Sequence, residues 1–548
     1  MKLRKYILSG LLGLMIFSGC TNLDETPYTF VDPSQFYQDE DQLNEALNAV
    51  YNAFRSMASA ASNIMRLEGC TDFGQPNRSN KNNIHQMNRW ADVNSGNNSG
   101  TFTDVWAKAY VIINRANTVI TRTEASDLDN TTKQQVIGQA RFLRGQAYYW
   151  LVRLFGGVPI SEKVTESLEG LEIPRNTAEE VWNFIIADWE YAEANLPVRG
   201  ASSYDIWRVS KGAAQAYLGE LYLYRACMAG TKYGTYDKSL MQKSAEYSKK
   251  VIDAGTYQLL SDYTQLWYSV NPTGAKNNAE SIFELQFNLV SGQKNNMHLN
   301  FGTFGDSYYP SGWVMHGSSE MTSIAGSYMY LRIAPSVQAW ESYADNDDRL
   351  KMFITKGAAK KGGKVTEMEF VASDLGKIPG SKGWNSCAPG NAKFYDFTDA
   401  AATALMSANN FMLMRYSEVL LNYAEALNTI NPGSSEALKY LNMVHQRAGL
   451  SALSITDGTA LDDAIFQERG WEFIGECKLY YDELRTDRLG PRVYEFVNKY
   501  NAMGYSWFQP LEFVPQKTFL WKIPASDLNS NSALEQNPDN VSYPGYSL

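Results

Sequence analysis

The chain has 548 residues, 44% hydrophobic and 20% charged, enough to bury a large core, and no Pro/Gly/Ser-rich or strongly charged linker divides it. Its formal net charge of −10 argues against a nucleic-acid partner, because a surface that is negative on average repels backbone phosphates. The four histidines, His85, His298, His316 and His445, are nowhere paired at helical spacing, so no zinc site and no cofactor is expected.

The opening run MKLRKYILSGLLGLMIFSGC joins a basic start at Lys2, Arg4 and Lys5 to an apolar stretch, Ile7 to Phe17, that is too short to span a bilayer. Phe17, Ser18, Gly19 and Cys20 end it as a lipobox, which predicts a lipoprotein signal peptide over 1–19 and acylation at Cys20. Residues 20–32 then read as a lipidated tether. Its Asp24 and Glu25 resemble the surface-export signal of Bacteroidota lipoproteins, which implies a place on the outer face of the outer membrane. No later run approaches ~20 uninterrupted apolar residues, so acyl chains would be the only membrane attachment.

Helical periodicity follows. Leu43, Leu47, Val50, Tyr51 and Phe54 recur at spacings of three and four, as do Trp106, Ala109, Tyr110, Ile113, Ala116, Asn117 and Ile120. Gln134 to Leu154 is a third helix, stopped by Gly156, Gly157 and Pro159. Thr177 to Leu196 is a fourth, with Thr177 and Glu180 spaced as a capping box and Pro197 beyond its end. It pairs with Val209 to Cys227 and then Asp237 to Ala254, and a further pair stands downstream at Tyr416 to Leu427 and Ser435 to Ala448. The small-residue and aromatic patterns YLGELYLY and AEYSKKVIDAG resemble tetratricopeptide packing, in which Ala and Gly let two helices approach closely. The fold class is therefore mainly α, a tetratricopeptide-like scaffold of helical pairs over about 33–259 and 411–548, stacked into one support. A long irregular insertion, about 260–410, interrupts it within a single domain, 33–548.

The insertion carries short β-like runs at Ser281 to Phe287, Lys351 to Thr355 and Lys364 to Val371, and one helical stretch, Ala334 to Tyr343. A second irregular segment, Gly69 to Gly100, is rich in Asn, Ser and Gly. Both are candidates for one binding face, since loops on a rigid support usually carry recognition. Cys70, Cys227, Cys387 and Cys477 form no CxxC pair and read as free thiols, buried in helices at Cys227 and Cys477.

Several blocks resemble one family. GQARFLRGQAYYWLVRLFGGVPI (Gly138 to Ile160), preceded by INRANTVI (Ile113 to Ile120), is similar to the signature of the SusD/RagB outer-membrane nutrient-binding lipoproteins. MRYSEVLLNYAEALN (Met414 to Asn428), ALKYLNMVHQRAGL (Ala437 to Leu450) and LWKIPASDLNSNSALEQNP (Leu520 to Pro538) match in order, with Glu468, Arg469, Glu472, Glu476 and Asp482 between. The chain departs at Cys477 and Leu479, where the family often has Gly and then Arg. The resemblance implies a non-catalytic cell-surface protein that captures oligosaccharides and delivers them, as a lid, to a SusC-like TonB-dependent transporter. Peptide capture, as in RagB-like members, is the alternative the family allows.

Thirteen Trp and 34 Tyr supply flat faces for sugar C–H surfaces, while Asn, Gln and Arg supply planar hydrogen-bonding groups. Trp106, Trp150, Trp182, Trp189 and Trp471 fall on helix faces and read as core. The ligand-binding candidates are Asn77, Arg78 and Trp90 in the first segment, and Tyr308, Tyr309 and Trp313 in SYYPSGWVMHG, read as an exposed aromatic loop. Trp384 in SKGWNSCAPG completes the set. Phe73 to Ala91 holds Arg78, Lys81 and Arg89, a balance that suits either an anionic glycan or a plain solvated loop.

No catalytic constellation stands out. Lys356 to Lys364 (KGAAKKGGK) imitates a phosphate loop but has Gly363 where a lysine is needed, and it reads as a β-turn between strands. Asp345, Asp347 and Asp348 imitate a calcium loop that Arg349 breaks. Two other classes stay open: a surface glycoside hydrolase, whose carboxylate separation is a three-dimensional quantity, and a pure assembly scaffold.

Overall fold

The structure, a computed structural model, describes residues 37, 39–59, 65–76, 100–164, 172–228, 236–288, 290, 309–315, 322–323, 333–361, 364–369, 390–394, 407–502 and 520–537. The first half is helical: α1 (Glu40–Ser59), α2 (Gly100–Ala125), α3 (Asn130–Phe155), α4 (Ala178–Asn195), α5 (Lys211–Met228) and α6 (Lys238–Asp253). The short helix α7 (Val337–Ser342) lies within the irregular middle of the chain. Beyond it come α8 (Tyr416–Ile430), α9 (Ser435–Arg447), α10 (Gly458–Phe473), α11 (Leu479–Arg485), α12 (Leu489–Ala502) and α13 (Ala525–Ser530).

The central helix is α3, buried continuously from Val136 to Ala140 and again from Phe142 to Phe155, and packed against α1, α2 and α4. Asp129 starts it by accepting hydrogen bonds from the Thr131 and Thr132 amides. It ends where Gly156 takes a φ of 74°, a conformation that a side chain resists. The α4 capping box forms as its sequence predicts, with Thr177 and Glu180 exchanging side-chain to backbone hydrogen bonds. Polar side chains lock the centre: Arg144 donates two bonds to Asp188, at 2.8 and 2.7 Å, and one to Asn117 at 2.7 Å, joining α2, α3 and α4. The C-terminal LWKIP segment returns to the same helix, with fully buried Trp521 donating its backbone N–H to the Leu154 carbonyl at 2.7 Å.

Helices α4, α5 and α6 pack in succession, and α8 packs on α6, so the downstream pair α8–α9 continues the stack across the intervening segment. Trp106, Trp150, Trp182 and Trp189 are buried and Trp471 is partly buried, as their helix faces predict. Cys70 and Cys227 are buried free thiols. Cys477 is also a buried free thiol, but it lies in the turn between α10 and α11 with φ at 61°, not in a helix. That left-handed conformation is one that glycine adopts without strain.

The middle of the chain forms small sheets. The strands are β1 (Gly74–Pro76), β2 (Ser281–Leu285), β3 (Tyr309–Met315), β4 (Thr322–Ser323) and β5 (Ile333–Pro335), then β6 (Phe353–Lys361), β7 (Lys364–Glu369), β8 (Gly390–Asn391) and β9 (Phe411–Arg415). Antiparallel pairing of β2 with β9 brings the chain back to the scaffold just before α8. β4, β3, β6 and β7 pair in that order, with β8 added to β6. Lys356 to Lys361 therefore lies inside β6 rather than in the expected turn, and Lys361 pairs with Lys364 at the start of β7.

A buried ionic cluster joins the two parts. Arg415, at the end of β9, meets Glu280 at 2.9 Å, Glu476 at 2.8 Å, and Glu472. Arg447 at the end of α9 also pairs with Glu280, at 2.8 Å, and with Glu472. Arg349 bonds Asp347 at 2.7 Å and Glu468 at 2.6 Å, and Lys393 reaches Glu476 at 2.8 Å. Asp347 also caps the short 3-10 turn at Asp348–Met352, so the acidic run around it is structural. Burial alone would raise the Glu472 pKa, but the guanidiniums of Arg447, Arg415 and Arg349 outweigh it and hold the carboxylate well below its ordinary range.

Two outcomes test this packing. A Cβ at Gly145 would sit 2.4 Å from Trp189 Nε1, so Gly145→Ala is expected to lower the thermal midpoint. Overpacking of ~1–3 kcal/mol outweighs the ~1 kcal/mol that alanine gains in a helix. Glu472→Gln keeps the shape but leaves buried guanidiniums short of negative charge, and denaturant unfolding is expected to show a loss of ~3 kcal/mol or more.

Candidate ligand-binding face

The two irregular segments meet at their bases. β1 pairs antiparallel with β5, matching Gly74 with Pro335, Gln75 with Ala334 and Pro76 with Ile333. The chain enters this junction through a 3-10 turn, Met65–Cys70, and the junction continues into α7. Ser336 caps α7 and ties it back: its amide donates to the Phe73 carbonyl at 2.7 Å and its hydroxyl to the Asp72 carbonyl at 2.5 Å. Phe73 packs in a small apolar cluster with Ala339, Tyr343, Leu350, Phe353, Phe466, Ile474 and Leu479. Trp471 at its edge donates its indole N–H to Ser342 Oγ at 2.9 Å, and Tyr343 donates its hydroxyl to the Trp471 carbonyl at 2.9 Å.

Buried carboxyls fasten this base to the scaffold. Glu68 accepts the backbone N–H groups of Gly475 at 2.7 Å and Cys477 at 3.1 Å, which pins the turn before β1 to the α10–α11 turn. Asp72 accepts from Gln338 at 2.9 Å and pairs with Arg492 at 2.7 Å. Burial, reinforced by the neighbouring Asp72, pushes the Glu483 carboxyl well above its ordinary value, where two acids face one guanidinium.

Asn77 follows directly after β1, but Asn77, Arg78, Trp90, Tyr308 and Trp384 lie outside the described residues, as does Cys20. Tyr309 and Trp313 are placed in strand β3 rather than in a loop. Tyr309 stands opposite Lys360, and Trp313 opposite Gly357 on one side and Thr322 on the other. Tyr, Trp and Val favour extended backbone, and Pro310 and Gly312, read as loop punctuation, instead flank a register irregularity within the strand. The sequence reading passed over Trp207, which is 56% exposed in the connection between α4 and α5. Its flanking Ser202, Ser203 and Asp205 were the available signal, a tryptophan in a polar connection with no helical face to enter.

Among the described residues, no group of three or more His, Cys, Asp or Glu is placed to hold a metal ion, and no helix is long and apolar enough to cross a membrane.

A SusD family model matches residues 279–546, and a second, described as "Starch-binding associating with outer membrane", matches residues 22–223. The chain belongs to the SusD/RagB family. A SusD-like protein of Formosa agariphila, P2, is 29% identical to it over 570 aligned positions, covering 99% of this chain and 100% of the relative. A SusD homolog from Bacteroides thetaiotaomicron superposes with a TM-score of 0.71 at 23% identity, covering 92% of this chain and 97% of the other. Surface glycan-binding protein A of the same organism, solved in complex with laminarihexaose, gives a TM-score of 0.66 at 20% identity, covering 91% and 99%. The SusD likeness to these structures extends through the scaffold and the middle segment, and establishes the mainly helical fold.

One pH effect follows from the anchoring carboxyls. Burial pushes Glu68 up to about 7 against the pull of the Gly475 amide, Lys393 and the Cys477 amide, while the unfolded chain keeps it near 4.5. Between those values the folded state holds the extra proton, so this group's contribution favours folding at low pH and declines as pH rises through about 7. Wild type is expected to lose ~2–3 kcal/mol relative to Glu68→Gln between pH 4.5 and pH 8, measured as the change in denaturant stability of each protein. Parallel pH profiles of the two proteins would remove this account.

Proposed function

We propose that this protein is a non-catalytic, cell-surface glycan-binding lipoprotein. It is anchored in the outer membrane by acyl chains on Cys20, faces the exterior, and acts as the lid of a SusC-like TonB-dependent transporter to which it delivers oligosaccharides. The observation that carries the reading is the β1–β5 junction, within a chain that matches SusD relatives from end to end. The junction fixes the roots of both irregular segments on one stiff base, so side chains beyond them can converge on one ligand. The ligand groups are then Trp90, Asn77 and Arg78 from the first segment, and Tyr308, Tyr309, Trp313 and Trp384 from the second. Aromatic rings stack on sugar C–H faces, while the amides and guanidinium choose among hydroxyl patterns. The laminarihexaose complex of the structural neighbour supports a glycan over a peptide as this ligand.

Affinity electrophoresis and calorimetry against neutral and acidic polysaccharides, with a peptide control, test the reading. Trp90→Ala and Trp313→Ala are each expected to weaken binding of the glycan ligand by ~1 kcal/mol or more without a change in the circular dichroism spectrum. Binding equal to wild type in both variants removes the site assignment, and binding of the peptide alone removes the glycan.

A further inference from the structure

A shallow cleft lies where the α4–α5 connection meets the strand β2, built from elements that share no residue with the β1–β5 junction. Arg199, Tyr204, Trp207, Asn277, Phe283 and Gln286 help line it, and it is open to solvent. Trp207 dominates its rim, 56% exposed beside Ile206 at 41%, while Trp182, Trp189, Trp267 and Trp521 are all buried. The Trp207 backbone N–H donates to Asp205 Oδ1 at 3.2 Å, and its ring takes part in no hydrogen bond or ring contact among the described residues.

The polar wall is held in place. Asn277 and Gln286 exchange reciprocal amide hydrogen bonds at 3.1 and 2.9 Å. Arg199 donates to the carbonyls of Asn277 at 2.6 Å and Asn278 at 3.0 Å, and the Tyr204 hydroxyl donates to the Arg208 carbonyl at 3.1 Å. Such a wall needs little ordering when a ligand arrives.

The charges beside it are already matched. Arg208 donates to Asn48 at 3.0 Å and to Gln139 at 3.4 Å, and Glu284 accepts from the Asn277 amide at 2.9 Å and Asn410 at 2.8 Å. Asp205, exposed beside the indole, pairs with Arg208 at 3.6 Å, so neither charge is left over for an ionic ligand. A flat indole with an unpaired N–H, next to fixed amides and without an uncommitted cation, suits a neutral hydroxylated ring.

We propose that the cleft beside Trp207 is an auxiliary subsite for one neutral glycosyl residue of a polymeric ligand. It rests on the glycan-binding reading and adds a second point of attachment, which strengthens retention of a long chain through effective concentration.

The test compares the full protein with Trp207→Ala in gels containing laminarin, xyloglucan, starch or alginate, and follows N-bromosuccinimide oxidation of Trp207 by peptide mass spectrometry. One neutral polymer is expected to retard wild type and slow oxidation of Trp207, and Trp207→Ala is expected to bind it about 3- to 10-fold more weakly with an unchanged melting temperature. Equal retardation of both proteins, with Trp207 oxidised as fast with polymer as without, overturns the subsite while the function stands, and leaves the patch to a protein partner. Retardation by alginate alone overturns the neutral assignment. No retardation of wild type by any polymer overturns the subsite together with the reading it rests on.

Discussion

Removing Arg415 and Glu472 from water sets the terms for the rest of this molecule. Burial of charge is strongly unfavourable unless every partner is present in good geometry, and the partners here come from distant parts of the chain. Glu280 precedes β2, Arg415 ends β9, Arg447 ends α9, and Glu472 and Glu476 lie at and beyond the end of α10. A displacement of any one of these elements strands the others, so the cluster specifies one arrangement of helical stack and middle segment. Apolar packing supplies the bulk of the folding energy but tolerates sliding; matched guanidinium and carboxylate geometry does not.

Buried carboxyls also fasten the proposed binding face. Glu68 reaches backbone amides in the α10–α11 turn, and Asp72 with Glu483 shares the charge of Arg492. The chain after β1 and before β5 therefore departs from a base that is tied to the scaffold core.

Local features were legible in residue order because they depend on neighbours within one turn. The Thr177–Glu180 capping box, the Gly156 stop and the buried faces of α1 and α2 all follow from spacing alone. The reading failed where long-range pairing overrode local cues. Pro310 and Gly312 suggested a loop, yet β6 and β4 provide hydrogen-bonding partners on both sides and draw the segment into a sheet. Cys477 sat in a helical pattern, but Glu68, more than four hundred positions away, captures its amide in a left-handed turn.

By itself, then, the order of residues determined a mainly helical chain of the SusD/RagB type and the two segments that carry its candidate ligand groups, since periodicity, caps and family blocks are written in short stretches. Only the tertiary structure decided that β1 and β5 join those segments at one base, that the acids and arginines of the C-terminal blocks form a buried cluster, and that Trp207 stays in solvent beside a fixed polar wall. The physical reason is common to all three: pairing, desolvation and exposure depend on which distant groups arrive at the same place, and spacing along the chain does not encode that distance.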